Sequence, residues 1–248
     1  MKAVTPALGK THAGLGVGTS VWRVLPDADA VARAAAQLII ETAADAIAHR
    51  GWFRLVLAGG RTPEAAYHLL AHQSADWEKW EFFFGDERCL PVDHVERNSL
   101  MAERVLLSQV PITPDRVHAI AAERGAEAAA ASYARILAMA VPFDLVLLGV
   151  GEDGHTASLF PGRTLDSDAW TVPVYDAPKP PPERVSLGLK ALRSAGQLLV
   201  LVTGATKREA LRGWWAGDAL PIARVCQGHK VTLLLDEDAN PLGTEDPA

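Results

Sequence analysis

Two patterns of apolar positions alternate along the chain: short unbroken runs, and longer stretches in which apolar residues recur at helical spacing. "SVWRVL" (20–25) reads as a strand, and Asp27 stands where an N-cap is expected for an alanine-rich helix over 28–49. "FRLVLAGG" (53–60) is a buried strand closed by two glycines, and "TPEAAYHLLAHQ" behind it starts a helix with Thr62 at the cap and Pro63 in the first turn. "KWEFFFGDERCLP" (79–91) is an aromatic strand that runs straight into charges at its C-terminal end. Helical spacing covers 98–108 and 123–140, and Pro142 stops the second just before "FDLVLLGVG", whose continuous apolar run is that of a central parallel strand. "RVSLGLKAL", "QLLVLVTG" and "VTLLLDED" follow as strands, with "ATKREALRGWWAG" as a helix between the last two.

Strand alternating with helix predicts an α/β fold with a mostly parallel sheet covered on both faces. The proline-rich "YDAPKPPPER" (175–184) is the one candidate boundary, but strands continue on both sides without a change in composition. It reads as a stiff loop near the site, so residues 19–248 are expected to form a single domain behind a flexible N-terminal tail over 1–18.

Composition narrows the partners. With 248 residues, 49% of them hydrophobic and 22% charged, the chain has the make-up of a soluble globular protein. A net charge of −6 and the lack of any Lys/Arg cluster argue against nucleic acid as a partner, so an anionic ligand must be met by a few well-placed groups. The N-terminal segment has no continuous apolar core of a secretion signal, and no stretch approaches the roughly 20 apolar residues of a membrane span. A cytoplasmic protein is expected, without a membrane partner, and its two cysteines, Cys89 and Cys226, are then reduced. Oligomeric state is left at monomer or weak homodimer: Trp214 and Trp215 fit an interface or the packing of a C-terminal helix equally well.

Candidate chemistry concentrates in "GVGEDGHTASLFPG" (149–162). Gly149, Gly151 and Gly154 spell G-x-G-x-x-G, but the long helix that a dinucleotide fingerprint should open is interrupted at Pro161-Gly162. A metal site built on Asp153 and His155, with Glu152 as a further candidate, lacks its remaining ligands, because neighbours in a turn rarely converge on one ion and no H-x-x-x-H or C-x-x-C accompanies it. A third reading makes His155 a general base or acid oriented by Asp153, with glycines that let the backbone come close to a ligand. Taken alone, His155 is as well explained as a helix cap.

Three segments together, "LAGGRTPEAAYHLL", "FFFGDERCLPVDHVERNS" and "FDLVLLGVGEDGHTASLFPG", closely resemble the motifs of 6-phosphogluconolactonases, within the family shared with the glucosamine-6-phosphate isomerases/deaminases. The likeness extends in the family's order through "RVSLGLKAL", "VLVTGATKREAL" and "VTLLLDEDA", from about residue 20 to the end. It implies a modified doubly wound, Rossmann-like fold. It implies hydrolysis of 6-phospho-D-glucono-1,5-lactone to 6-phosphogluconate in the oxidative pentose phosphate pathway, with a sugar phosphate as the small-molecule partner and neither metal nor organic cofactor.

Carried onto this chain, the resemblance puts the phosphate at the turn of Gly59, Gly60, Arg61 and Thr62, where backbone N–H groups meet a helix N-terminus. Arg184 and Lys207 become its cationic partners. His155 becomes the base that activates water, with Asp153 as its orienter. Arg88 or N–H groups of the glycine-rich turn, Gly151 among them, become donors to the oxyanion. Asp86 joins Arg88 near the substrate, Glu87 is left without a role, and Asn98 braces the loop. Arg61 departs from the pattern, since the family's turn often reads G-G-S-T-P. The deaminases carry a Glu just before the proline of D-G-H-I-A-F-N-E-P, where this chain has Phe160, which disfavours amine release. A binding protein without turnover would be expected to lose the histidine, and this chain keeps it.

Overall fold

The unbroken apolar runs become the middle of a sheet. In the computed structural model, which describes residues 10–13 and 20–242, eleven strands are formed: β1 (Lys10–Ala13), β2 (Ser20–Leu25), β3 (Phe53–Leu57), β4 (Trp80–Phe84), β5 (Asp86–Arg88), β6 (Val117–His118), β7 (Phe143–Gly149), β8 (Thr171–Val174), β9 (Arg184–Leu187), β10 (Ala195–Val202) and β11 (Val231–Asp236). Eight of them lie side by side in the order β1-β2-β11-β10-β7-β3-β4-β6. All neighbours are parallel except β1 with β2. Every residue of β11 is buried, which requires helices against both faces of the sheet. The helices are α1 (Ala28–Arg50), α2 (Arg61–Leu70), α3 (Asn98–Val105), α4 (Ala126–Ala140), α5 (Leu189–Leu192), α6 (Arg208–Ala216) and α7 (Pro221–Cys226). The modified doubly wound arrangement implied by the family motifs is the one observed.

Local signals explain most boundaries. Asp27 caps α1 by accepting from Ala30 N–H at 2.7 Å, a contact worth about 1 kcal/mol. Gly51 ends the helix in the left-handed region, its N–H reaching Ile47 O. Trp214 is buried, and its ring and that of Trp215 both pack on Trp22, with centroids 5.3 and 4.8 Å apart. Core packing therefore explains these tryptophans.

The structure differs from the sequence reading at several places. The run 79–91 is two strands in two sheets. Gly85 separates them, donating to Leu57 O of the large sheet and accepting from Leu187 N at 2.8 Å each. Beyond it, β5 belongs to a small antiparallel sheet of order β5-β9-β8. "RVSLGLKAL" is likewise only partly strand: Gly188 turns the chain after β9, where a Cβ would meet Ala169 O at 2.2 Å, and α5 follows. Gly60 rather than Thr62 precedes the first residue of α2, and the Thr62 hydroxyl instead pairs with that of Thr203 at 2.7 Å. The short β6, β8 and α7 carry too few periodic positions to be read from sequence.

Of the tail expected over 1–18, residues 10–13 pair with β2 as an edge strand, and the others lie outside the described residues. One contiguous apolar cluster extends from Trp22 to Ala239 and includes members of both sheets. Among the described residues, no helix is long and apolar enough to cross a membrane.

Candidate active site

Topology decides where a ligand can enter. From β3 the chain moves outward to β4 and β6; from β7 it moves the other way, to β10 and β11. The loops after these two adjacent strands diverge and leave a crevice at the carboxyl end of the sheet. That crevice is a cavity of about 450 Å³ lined by Gly59, Gly60, Asp86, Arg88, Asn98, Gly151, Glu152, Asp153, His155, Phe160, Lys179, Arg184 and Lys207, among others.

The turn after β7 is built around the histidine. His155 Nδ1 lies 2.5 Å from Asp153 Oδ1, which also accepts from His155 N–H at 3.1 Å. Burial pushes the Asp153 carboxyl up, but the bonds from His155 and the charge of its ring outweigh this and hold it below the usual carboxylate range. With Nδ1 engaged, Nε2 has no hydrogen-bond partner among the described residues. The Phe160 ring, 4.7 Å from the imidazole, occupies the position where the deaminase pattern carries a Glu. Gly151 N–H is spent on His155 O at 2.8 Å and so is not free for a ligand. What Gly151 supplies is room: a Cβ there would lie 2.0 Å from His155 Nδ1.

Alternation along β5 sorts the three charges of Asp86-Glu87-Arg88, because side chains two apart share a face. Asp86 and Arg88 line the cavity. Asp86 Oδ1 accepts from Asn98 Nδ2 at 2.9 Å and Oδ2 accepts from Ser158 Oγ at 2.6 Å. Glu87 points away and is fully buried, accepting from the N–H groups of Arg88, Asn98 and Ser99 at 2.8 Å each, with Arg97 Nε 3.4 Å away. It serves the open end of α3. The face it takes on β5 and its partners in α3 distinguish it from its neighbours, and sequence alone did not supply these.

Arg88 and Arg184 face each other across the β5–β9 pair. Two like charges in register repel, and the repulsion would be relieved by a bound anion. Arg88 donates to Glu96 O and has a buried Nε without a partner. Arg184 is buried, with its guanidinium 5.9 Å over the Phe160 ring, and donates to the carbonyls of Pro181 at 3.1 Å and Lys179 at 2.7 Å. Burial lowers its pKa, while the Asp86 carboxylate works the other way. The proline-rich loop is therefore wrapped on Arg184 and forms one wall of the site through Pro178, Lys179 and Pro180. Lys179 also reaches Glu152 at 3.4 Å; the sequence offered Glu152 only as a further ligand of a metal site and did not single out Lys179, because nothing in the chain order puts these loops together.

The turn after β3 is more open. The first helical bond of α2 runs from Glu64 N to Gly60 O, which leaves the N–H groups of Arg61 and Thr62 without partners among the described residues. Gly60 reaches this geometry at a φ of 106°, a region that side chains disfavour. Gly59 and Gly60 border both the His155 cavity and a neighbouring one of about 770 Å³, which Arg61, Thr62 and Thr206 line. Lys207 borders both as well; burial lowers its pKa, and the Glu152 and Asp153 carboxylates oppose that. Its turn is held by Asp236, both of whose oxygens lie 3.0 Å from Gly204 N. Arg61 lines the neighbouring cavity and not the one with His155. Among the described residues, no group of three or more His, Cys, Asp or Glu is placed to hold a metal ion.

Comparison with known proteins agrees with this geometry. Residues 26–234 match the family model of glucosamine-6-phosphate isomerases/6-phosphogluconolactonase. A 6-phosphogluconolactonase of Streptomyces coelicolor is 40% identical over 237 residues, covering 86% of this chain and 90% of that protein. One of Mycobacterium tuberculosis is 37% identical over 240 residues, covering 89% and 97%. The crystal structure of 6-phosphogluconolactonase from Thermotoga maritima superposes with a TM-score of 0.81 at 30% identity, covering 88% of this chain and 99% of that one. A match of this extent, on a chain whose motif segments converge on one crevice, means that the protein belongs to the glucosamine-6-phosphate isomerase/6-phosphogluconolactonase family.

Proposed function

We propose that this chain, acting as a single α/β domain, hydrolyses 6-phospho-D-glucono-1,5-lactone to 6-phosphogluconate. The observation that carries the reading is a histidine ring bonded to a carboxylate at 2.5 Å on the wall of a cavity also lined by Arg88, Arg184 and Lys207. A neutral sugar ring with a dianionic end group requires such a division into a proton-transfer side and a cationic side.

In this reading the phosphate lies between the Gly59–Thr62 turn and Lys207, with Arg184 as the second cation. Free N–H groups at the start of α2 and the positive end of its dipole favour an anion there. Arg61 adds long-range attraction from the neighbouring cavity. The lactone carbon then faces His155. Asp153 accepts the Nδ1 proton and so selects the tautomer in which Nε2 is a bare acceptor. Nε2 takes a proton from water, and the oxygen attacks C1. Charge develops on the carbonyl oxygen, and Arg88, whose side chain lines the cavity, is the donor this reading assigns to it. Collapse breaks the bond from C1 to the ring oxygen, which recovers the proton from His155. Asp86 accepts from sugar hydroxyls. Phe160 stands where the deaminase pattern carries the Glu that works with the histidine in ring opening, so that acid is missing here.

The proposal asks for no metal and no organic cofactor. Work in a reducing compartment such as the cytoplasm fits the two unpaired cysteines, Cys89 and Cys226, the second buried. The test is hydrolysis of freshly generated lactone near neutral pH, with and without EDTA, against the spontaneous background and with glucosamine 6-phosphate as control. Fast, EDTA-insensitive lactone loss without ammonia release is expected. A rate equal to background would overturn the proposal, and ammonia from the control substrate would replace it with the deaminase reaction.

A further inference from the structure

The turn that carries His155 has a feature that its glycines do not explain. Ala157, two residues after the histidine, has φ 48°, in the left-handed region that side chains disfavour. Such a residue persists where its surroundings hold the chain on both sides. On the far side the holding residue is Ser158, which is 1% exposed. Its hydroxyl donates to Asp86 Oδ2 at 2.6 Å, and its N–H donates to Ser186 Oγ at 3.2 Å. Both acceptors belong to the small sheet, where Asp86 and Ser186 face each other in register. Ser158 thus fastens the histidine turn of the large sheet to the small sheet.

The other side of Asp86 leads to the phosphate turn. Asn98 Nδ2 donates to Asp86 Oδ1 at 2.9 Å and to Asp86 O at 3.0 Å. The Asn98 side chain in turn lies against Gly59: a Cβ on that glycine would sit 2.1 Å from Asn98 Oδ1. One buried path therefore runs from Gly59 through Asn98, Asp86 and Ser158 to the turn of His155. Asp86 stands in the middle with each oxygen already accepting one bond, so its orientation at the cavity wall is set before any ligand arrives.

We infer that Ser158 is a positioning residue for the reaction: its hydroxyl orients the Asp86 carboxylate and holds the turn that presents His155. The inference rests on the hydrolase reading above. Ser158 does not border the cavity and touches no substrate atom in this account. Its role is to keep the base and the Asp86 acceptor at a constant separation, which a proton transfer needs and phosphate binding does not.

The test uses the full chain and compares Ser158→Ala and Ser158→Cys with the parent protein. Turnover of the lactone by the parent keeps the underlying reading in place whatever the variants do. Ser158→Ala is expected to lower kcat tenfold or more while the dissociation constant for 6-phosphogluconate changes less than twofold. Ser158→Cys keeps the shape of the side chain but is a weak donor, so it should resemble the alanine variant. In an Asp86→Ala background, Ser158→Ala should add less than a twofold further loss, because the hydroxyl acts through that carboxylate. Circular dichroism and thermal melts identify variants that are folded at the assay temperature. Unchanged kcat in Ser158→Ala, full activity in Ser158→Cys, or an undiminished further loss in the Asp86→Ala background would each overturn the inference. So would equal losses of kcat and ligand affinity accompanied by unfolding, since the serine would then serve only stability.

Discussion

The turns after β7 and β3 face one another across the same crevice, yet they are held in different ways. The β7 turn is tied at many points: His155 to Asp153, Gly151 N–H to His155 O, and Ser158 to both Asp86 and Ser186. The β3 turn is anchored at its root, where the Tyr67 hydroxyl bonds both the N–H and the carbonyl of Ala58, but beyond it is held only by the Thr62–Thr203 pair and the Asn98 side chain against Gly59, and it leaves two N–H groups at the start of α2 open. The difference follows from the two tasks. A proton moves only between atoms held within a few tenths of an ångström, whereas attraction to a phosphate falls off slowly with distance and tolerates adjustment. One side of the site is built by hydrogen bonds and the other by charge.

Substitutions can break this contrast. The largest effect is expected for His155→Ala, which should lower the catalysed rate by roughly 10²- to 10⁴-fold while 6-phosphogluconate still binds. Unchanged turnover in a lactone assay would remove His155 as the base. Gly151→Ala should come close to it, because the new Cβ would stand 2.0 Å from His155 Nδ1 and turn the ring away from Asp153. Measured kcat should fall far more than ligand affinity. If kcat survives, the pair does not depend on room at Gly151.

On the charged side the signature should reverse, with affinity lost before turnover. Lys207→Ala should weaken binding of 6-phosphogluconate by about 1.5–3 kcal/mol, as for a charge-assisted hydrogen bond. The lysine is half-buried, so the lower end of that range is expected. Burial lowers the Lys207 pKa, so its ammonium is lost at a lower pH than that of an ordinary lysine. Affinity should therefore decline as pH rises through that lowered value, and titration calorimetry should find this alkaline decline missing in Lys207→Ala. The smallest effect is expected for Arg61→Ala. It borders only the neighbouring cavity, so the dissociation constant should rise by no more than a few fold, and less so at high salt. A loss as large as that of Lys207 would move Arg61 into direct contact with the phosphate.

Much of this site was legible along the chain. His155, Asp153, Asp86, Arg88, Arg184, Lys207 and the Gly59–Gly60 turn all border one cavity. Most sit just beyond a strongly apolar strand or in a glycine-marked turn, where local pattern and family motif pointed to the same places, whereas Arg184, at the start of β9 behind the proline-rich loop, came from the family motif. Arg61 and Thr62 were drawn in by adjacency in sequence, but the helix start directs them to the next cavity. Gly151 was expected to offer an N–H and instead offers space. Glu87 and Ser158 could not be placed, because their roles depend on partners 11 and 72 residues away.

Runs of apolar residues, their spacing and the capping groups between them determined which segments are strands and helices, and the alternation of the two determined an α/β fold. Those are short-range properties: a strand buried on both faces needs an unbroken apolar run, and α1 starts where Asp27 supplies an acceptor. Only the tertiary structure decided that Gly85 passes the chain from one sheet to another, that Asp86 and Arg88 turn inward while Glu87 closes α3, and that a serine beyond the histidine ties its turn to the small sheet. These depend on strand order and register, which bring distant residues together through pairing and packing that no local stretch encodes.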